Sequence, residues 1–333
     1  MGLRIALTSV HAWPQVRRGA ERYLHELAAA LTAAGHRVSV LSTGRPARGT
    51  ELGVAVRRLR PDTFAAEAFV RLAGARLDVW HATSTGDAVA ATAAGLLRPG
   101  LRTVFTDHGF PVRASRERRG DARRHAFVAR HIGRYVCVST AAAQWLDTDY
   151  GRRAEVVPPG VDTGRFVPGP GRSPTPLVLY VGDLSEPRKG VRSLIDAVAG
   201  LPGVALWLVG PGTAPGPAQR CFLADPAELP ALYRQAWVTV LPSTAEAFGM
   251  ALIESLACGT PVVARADGGG PADIVTPGTG VLCDAAPGAL AAAVTQALEL
   301  AAAPSTAAAC RSRGELFDWR RVVVPRLEAL YAS

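Results

Sequence analysis

The sequence predicts an α/β protein made of two doubly wound domains in series. Three observations carry this expectation. Short apolar strands alternate with amphipathic helical stretches, a segment rich in proline and glycine interrupts the alternation near the middle, and the alternation then restarts. The 333 residues exceed what one hydrophobic core usually organises, and 48% apolar residues against 20% charged leave ample material for two.

Leu3 to Thr8 reads as the first strand. A loop with Trp13, Pro14 and the basic Arg17-Arg18-Gly19 leads into a helix whose Leu24, Leu27 and Leu31 fall at helical spacing. Gly35 ends that helix before a strand from Arg37 to Leu41. Further strands are expected at Val54 to Leu59, Asp78 to Ala82, Arg102 to Thr106, Tyr135 to Ser139 and Glu155 to Val157. The stretch from Phe166 to Pro176 continues neither helix nor strand, because its prolines remove donors and its glycines add freedom, so it reads as the linker. Beyond it, strands are expected at Leu177 to Val181, Ala205 to Val209, Trp237 to Leu241 and Pro261 to Ala264. Helices are expected near Gly190 to Ala199, Pro226 to Gln235 and Gly249 to Ala257. Trp319, Val322, Val323, Leu327 and Leu330 mark a closing amphipathic helix in which Pro325 is a kink or a break. The domain limits are therefore set at 1–168 and 169–316, with the C-terminal helix, 317–333, available to pack back onto the first domain. Two open sheets in series imply a cleft between them, with ligands outside the carboxyl ends of the strands.

Composition restricts the function classes without choosing among them. The formal charge of +9 suits an anionic partner such as a nucleotide diphosphate, an acidic lipid or a nucleic acid, but an Arg- and Ala-rich bias produces the same charge without one. The cysteines at 137, 221, 258, 283 and 310 are scattered and never paired as Cys-x-x-Cys, which indicates reduced, buried thiols rather than disulfides or a zinc site. The histidines show no metal-ligand spacing, so neither a metal nor a resident cofactor is expected. The N-terminal apolar run is too short for a signal sequence, and no stretch approaches the roughly 18 to 20 apolar residues of a membrane span, so a cytoplasmic protein is expected.

The motif that carries most chemistry follows the strand ending at Leu241. Pro242 and Ser243 turn the chain, and Glu246 precedes Phe248-Gly249-Met250 at the start of a helix. Free backbone N–H groups there suit a phosphate, with about 0.3 to 2 kcal/mol from the helix dipole, and Gly249 permits close approach. Glu254, five residues into the helix, is placed to accept hydrogen bonds from ribose hydroxyls. For two isolated glutamates, a helix cap and a solvated face residue are the plainer explanation. The flanking residues argue against it.

Leu241 to Val263 resembles the Glu-x7-Glu signature of the family 4 retaining glycosyltransferases of the GT-B fold. The resemblance extends to Gly19-Ala-Glu-Arg-Tyr-Leu-His-Glu-Leu27, Asp78-Val-Trp-His81, Thr106-Asp-His-Gly109, Val136-Cys-Val-Ser139, Val157 to Phe166 and Val181 to Gly190, and so spans nearly the whole chain. It implies two Rossmann-like domains facing a central cleft, the N-terminal one binding the acceptor and the C-terminal one the nucleotide-sugar donor. It further implies that Glu254 binds the donor ribose, that Glu246 faces the transferred sugar, and that the amides of Phe248, Gly249 and Met250 meet the diphosphate. Lys189, with Arg188 beside it, supplies cations to that diphosphate. Gly19 lies near the donor phosphate or the acceptor, although a glycine there equally turns a loop, and His108 reaches a sugar hydroxyl or the acceptor. The implied catalytic set is Glu246, His108 and Lys189. The implied donor set is Gly19, Arg188, Lys189, Phe248, Gly249, Met250 and Glu254.

The chain departs from the family pattern in three places. Asp183 stands where an Arg usually follows the Gly equivalent to Gly182, so either Arg188 reaches over, or Arg17 or Arg18 compensates, or the donor sits differently. Arg18 stands where a second Gly is common, and Gly210 to Cys221 is too proline-rich for the helix that usually frames the base.

The expected activity is metal-independent, retaining transfer of a sugar from a GDP- or UDP-sugar to a small-molecule acceptor, in natural-product or small-glycoside biosynthesis. A membrane-associated glycolipid mannosyl- or glucosyltransferase is an alternative, suggested by the eight arginines between Arg113 and Arg134. A dinucleotide-dependent oxidoreductase is a remote one, suggested by Gly210-Pro-Gly212 and Gly216 after a strand. Nucleic acid is not an expected partner, peripheral membrane contact is not favoured, and a monomer or homodimer is expected.

Overall fold

A computed structural model describes residues 2–10, 19–44, 48–51, 54–109, 119–216, 220–267 and 269–332. The chain separates into one unit of Met1–Pro159 with Trp319–Ser333 and a second of Gly160–Asp318. Trp13, Pro14, Arg17, Arg18 and the start of the basic run, Arg113 to Arg118, lie outside the described residues.

The first unit runs β1 (Arg4–Thr8), α1 (Gly19–Ala33), β2 (Arg37–Thr43), β3 (Arg48–Glu51), β4 (Val54–Leu59), α2 (Phe64–Leu72) and β5 (Val79–Ala82). It continues with α3 (Thr85–Leu97), β6 (Arg102–Asp107), α4 (Arg119–His131), β7 (Arg134–Cys137), α5 (Thr140–Tyr150) and β8 (Glu155–Val156). The strands form one sheet in the order β3-β4-β2-β1-β5-β6-β7-β8, in which only β3 and β4 pair antiparallel. Parallel strands are covered on both faces, which is why β5 is buried along its whole length and β1 at every position after Arg4. α1 buries Tyr23, Leu24, Leu27 and Leu31, one stripe at helical spacing. Ser139 caps α5 by accepting from the Ala142 amide at 3.2 Å, and Gly151 ends that helix in the left-handed region.

The second unit runs β9 (Leu177–Val181), α6 (Val191–Ala199), β10 (Ala205–Val209), β11 (Arg220–Phe222), α7 (Leu229–Gln235), β12 (Val238–Leu241) and α8 (Met250–Ala257). It closes with β13 (Val262–Arg265), β14 (Gly280–Cys283), α9 (Ala289–Ala302) and α10 (Thr306–Glu315). Its sheet has the order β11-β10-β9-β12-β13-β14, and every pair in it is parallel. The chain builds outward from β9 in one direction and from β12 in the other, so the loops leaving these two neighbouring strands stand side by side at the topological switch point.

The first unit ends at Pro159 rather than at 168. Val161 bridges to Asp318 and its amide donates to the Phe317 carbonyl at 2.8 Å, while Phe166 is buried with its ring 6.0 Å from that of Tyr233. Arg311 Nη1 and Nη2 donate to the carbonyls of Phe166 and Thr163 at 2.7 and 3.0 Å, holding this segment to the second unit.

The closing residues belong to the first unit. Trp319–Val323 forms a π-helical turn that runs directly into α11 (Val324–Ala332), so the helical stretch continues through Pro325, which stands just after the junction. Polar contacts tie the segment down. Trp319 Nε1 donates to Glu26 at 3.0 Å, His36 Nε2 meets Glu328 at 2.8 Å, and the Tyr331 hydroxyl lies 2.7 Å from His81 Nδ1. The other ring nitrogen of His81 is 2.6 Å from the Thr106 hydroxyl, so a fully buried imidazole joins β5, β6 and α11.

Burial pushes the His81 pKa from 6.5 down to about 3. As pH falls below 6.5 the unfolded chain takes up a proton that the folded chain refuses, so His81 costs stability approaching about 1.4 kcal/mol per pH unit. Asp87, buried and bonded to Thr8, acts in the opposite sense: burial raises its pKa to about 6, so its contribution is present below 3.8 and lost as pH rises through 6. Comparison with His81→Asn isolates the first effect. The stability advantage of the parent chain over the variant, from urea unfolding, is expected to shrink steadily from pH 6.5 to pH 4; a constant difference refutes a buried neutral His81.

Candidate active site

The loop after β9 ends in a 3-10 turn, Pro187–Lys189, closed by Gly190 in the left-handed region, before α6 starts. The loop after β12, 242–249, leads to α8. These two loops bring Lys189 Nζ to 2.7 Å from Glu246 Oε2, with side chains 18% and 12% exposed. Arg188 Nη1 stands 3.6 Å from the same oxygen.

Arg188 is also built into the loop that carries Glu246. Its Nη1 donates to the carbonyls of Thr244 and Ala245 at 3.3 and 3.2 Å, its Nε pairs with Glu186 at 3.0 Å, and its own carbonyl accepts from the Thr244 amide at 2.9 Å. In this arrangement Arg188 sets the shape of the Glu246 loop and Lys189 is the cation set beside the carboxylate. Ala245 has φ 48°, a left-handed conformation costing an L-residue about 1 to 2 kcal/mol, and the Asp267 carboxylate holds it by accepting its amide at 2.8 Å. The Glu246 carbonyl accepts from the Gly270 amide at 2.8 Å.

No side chain caps α8, whose N-cap Gly249 has φ 105°. A Cβ at Gly249 would come within 3.0 Å of Leu241 Cδ2 and Leu252 Cδ1, so both conformation and space demand glycine. The first amides of α8 therefore carry the positive end of the helix dipole beside Glu246 and Lys189. Phe248 is buried with its ring 5.7 Å from that of Phe317, fixing the approach to the helix.

Glu254 lies in the interior, 1% exposed, and its Oε2 accepts from the Tyr233 hydroxyl at 2.7 Å. A ribose reaches this carboxylate only if the cover over it opens. Asp183 is used in its own turn, accepting from the Ser185 amide at 2.9 Å, while its carbonyl accepts from Tyr180 at 3.0 Å.

His108 and Gly19 belong to the first unit. His108 follows β6 with its ring 4.4 Å edge-on from Tyr23, and its Nε2 is buried without a hydrogen-bond partner among the described residues. Burial pushes its pKa down to about 4, so the imidazole is neutral near pH 7, able to donate or accept. Asp107 before it accepts from Tyr135 at 2.6 Å and from the Gly109 amide at 3.0 Å, which braces this strand end. Gly19 opens α1 and is exposed.

Sequence reasoning passed over Asp267, Gly270, Tyr233 and Asp107. Their signal is their position just after β13, on α7 or at the end of β6, which becomes meaningful only once strand order is known. Other expectations are corrected. The Gly210-Pro-Gly212 string opens no helix; Gly210 has φ 148°, and a Cβ there would lie 1.9 Å from the Gly182 carbonyl oxygen, so its glycine serves loop packing rather than a dinucleotide fingerprint. Cys221 is exposed, unlike the other four cysteines. In α4, Arg123, Arg124 and Arg130 are exposed while Val128, Ala129 and Ile132 are buried, so its described apolar face belongs to the core. Among the described residues no helix is long and apolar enough to cross a membrane.

Two family descriptions match the chain: "Glycosyltransferase Family 4" over residues 17–165 and "Glycosyl transferases group 1" over residues 175–300. The chain is similar to the sucrose-phosphate synthase of Thermosynechococcus elongatus, with TM-score 0.83 and 24% identity over 99% of this chain and 98% of that one. It is also similar to the Anabaena HepE protein in complex with UDP-glucose, with TM-score 0.81 and 20% identity over 99% and 100%. These likenesses show the fold, which is that of the GT-B glycosyltransferases. The two matches together cover most of the chain and mark it as a family-4-like glycosyltransferase.

Among curated relatives it is 37% identical over 163 residues to the D-inositol 3-phosphate glycosyltransferase of Segniliparus rotundus, covering 40% of this chain and 36% of that protein. It is 35% identical over 170 residues to the MMP alpha-(1->4)-mannosyltransferase of Mycolicibacterium hassiacum, covering 45% and 41%. The matched region thus spans little more than a third of the length of such relatives.

Gly249→Ala is expected to lower stability by about 1 to 3 kcal/mol in urea unfolding, because strain and the 3.0 Å contacts add. An unchanged midpoint would show that α8 does not need this entry geometry.

Proposed function

We propose that the protein transfers a sugar from a nucleoside diphosphate sugar to a small-molecule acceptor with retention of anomeric configuration. The observation that carries this reading is the 2.7 Å contact of Lys189 with Glu246 beside the uncapped N-terminus of α8. A cation, a carboxylate and a row of amides at one switch point suit a diphosphate leaving group and the sugar attached to it. As the bond from the anomeric carbon to the phosphate oxygen breaks, Lys189 and the amides of Phe248, Gly249 and Met250 take up the charge that develops on the phosphate. The acceptor oxygen forms its bond on the same face, and its proton passes to the departing phosphate oxygen. Glu246, released from Lys189, faces the sugar and steadies its positive character.

We assign the donor to the second unit and the acceptor to the first, where neutral His108 hydrogen-bonds a hydroxyl. Glu254 takes the ribose diol by exchanging its bond to Tyr233. Positive charge from Lys189 and the helix makes a divalent ion unnecessary. UDP and GDP are the nucleotides to test first, since HepE is described with UDP-glucose and one relative as a mannosyltransferase. A free small acceptor, as in natural-product or small-glycoside biosynthesis, is favoured over a membrane lipid because the described apolar face of α4 is buried.

Thermal-shift measurement with UDP, GDP, dTDP and ADP should single out one nucleotide, with about 2.7 kcal/mol of stabilisation at a hundredfold excess over Kd. Lys189→Ala should lose most of that shift. Nucleotide-sugar turnover should fall roughly 100-fold or more in Glu246→Ala, with the nucleotide shift retained. Glu254→Gln, chosen to keep a partner for Tyr233, should raise KM more than it lowers kcat. The reading fails if no nucleotide stabilises the chain, or if both glutamate variants turn over normally.

A further inference from the structure

We propose that Asp267, which touches neither donor nor acceptor in the reading above, is a positioning residue for Glu246. It acts through the backbone of Ala245 and governs the rate of sugar transfer rather than the affinity for the nucleotide. The tip of the loop after β12 has no apolar anchor of its own. Thr244 and Ala245 are exposed and Glu246 and Ala247 are half-buried, with full burial resuming only at Ser243 on one side and Phe248 on the other. Polar tethers therefore have to fix this tip.

The tethers to Ala245 come from two different loops. Its amide donates to Asp267 Oδ2 at 2.8 Å, and its carbonyl accepts from Arg188 Nη1 at 3.2 Å. One residue further on, the Glu246 carbonyl accepts from the Gly270 amide at 2.8 Å. The segment after β13 thus grips the chain just before and just after the Glu246 side chain. It also lies directly against it. A Cβ at Gly269 would come within 2.5 Å of the Glu246 carbonyl oxygen, and one at Gly270 within 2.1 Å of the Ala247 carbonyl oxygen. Glycine lets the two backbones meet, and Asp267 adds a charged acceptor to the contact.

Ala245 needs that acceptor. Among the described residues it is the one non-glycine with a left-handed backbone, at φ 48°. An L-residue prefers negative φ, and at an exposed tip no packing opposes its return. Rotation there re-aims the chain that follows, which draws Glu246 away from Lys189, now 2.7 Å from it. A carboxylate that accepts an amide more often just closes its own turn, two residues on. Asp267 instead reaches back 22 residues, to the strained residue that precedes the site carboxylate. Because Asp267 is exposed, removing its side chain opens no cavity, and the variant should fold.

The test joins a crystal structure of Asp267→Ala to the kinetics of Asp267→Ala, Asp267→Asn and Asp267→Ala/Glu246→Ala. In the crystal, φ of Ala245 is expected to turn negative and the contact of Lys189 with Glu246 to open beyond about 4 Å. The kinetic arm rests on the transferase reading, and the crystal does not. If the parent chain turns over no nucleotide sugar, that reading fails and the crystal alone decides this proposal. With turnover, kcat should fall roughly 10- to 100-fold in Asp267→Ala, while KM and the nucleotide thermal shift stay near those of the parent. Asp267→Asn, whose carbonyl oxygen still accepts from the Ala245 amide, should recover most of kcat. In the Glu246→Ala background, removing Asp267 should cost no more than about twofold, because its effect passes through Glu246. A loop unchanged in the Asp267→Ala crystal, or a loss of kcat equally large without Glu246, overturns the proposal.

Discussion

The ion pair of Lys189 and Glu246 stands where β9 and β12 lie side by side, and much of the second unit is arranged to keep it there. With both side chains mostly buried, the attraction is screened less than at an open surface, but desolvation offsets much of the gain, so the pair is poor material for stability alone. Its surroundings are costly in the same way. Ala245 is held in a left-handed conformation by Asp267, and Gly249 gives up the side chain that would cap α8. Strain gathered at one loop and tied down from two sides preorganises a site. In the proposed reaction a diphosphate replaces Glu246 as the partner of Lys189, so the ammonium need not be drawn from bulk water when the donor arrives.

The first unit is organised by a different constraint, polar side chains in the middle of a parallel sheet. Trp80 Nε1 donates to the Thr8 hydroxyl at 3.0 Å, and Thr8 in turn donates to Asp87 at 2.5 Å. His81 joins Thr106 to Tyr331. Each group is satisfied only if β1, β5, β6, α3 and α11 are all in place, so these bonds specify one packing rather than merely adding stability. The same framework sets the strand end from which His108 projects against Tyr23.

Strands in the middle of the second sheet were legible in the sequence, because an uninterrupted apolar run is a strong signal: Leu177–Val181 and Ala205–Val209 fall where the sequence places them. β3 was not legible, since Arg48-Gly-Thr-Glu51 has no apolar alternation and forms only by pairing with β4. β11 has three residues and β14 begins with glycine, so both depend on their neighbours in the same way. At the candidate site, the residue types of Lys189, Glu246 and Phe248-Gly249-Met250 are local features of the sequence, while the 2.7 Å contact of Lys189 with Glu246 depends on β9 and β12 being neighbours. The interior position of Glu254 could not be read locally, because it is set by Tyr233 on another helix, and neither could the double use of Arg188, whose carbonyl partners lie 56 and 57 residues away.

A crystal structure of the chain soaked with its stabilising nucleoside diphosphate tests the central claim most directly. The account predicts phosphate oxygens roughly 2.7 to 3.2 Å from Lys189 Nζ and from the first amides of α8, with the 2.7 Å contact between Lys189 and Glu246 broken. A nucleotide bound elsewhere, with that contact intact, would contradict it.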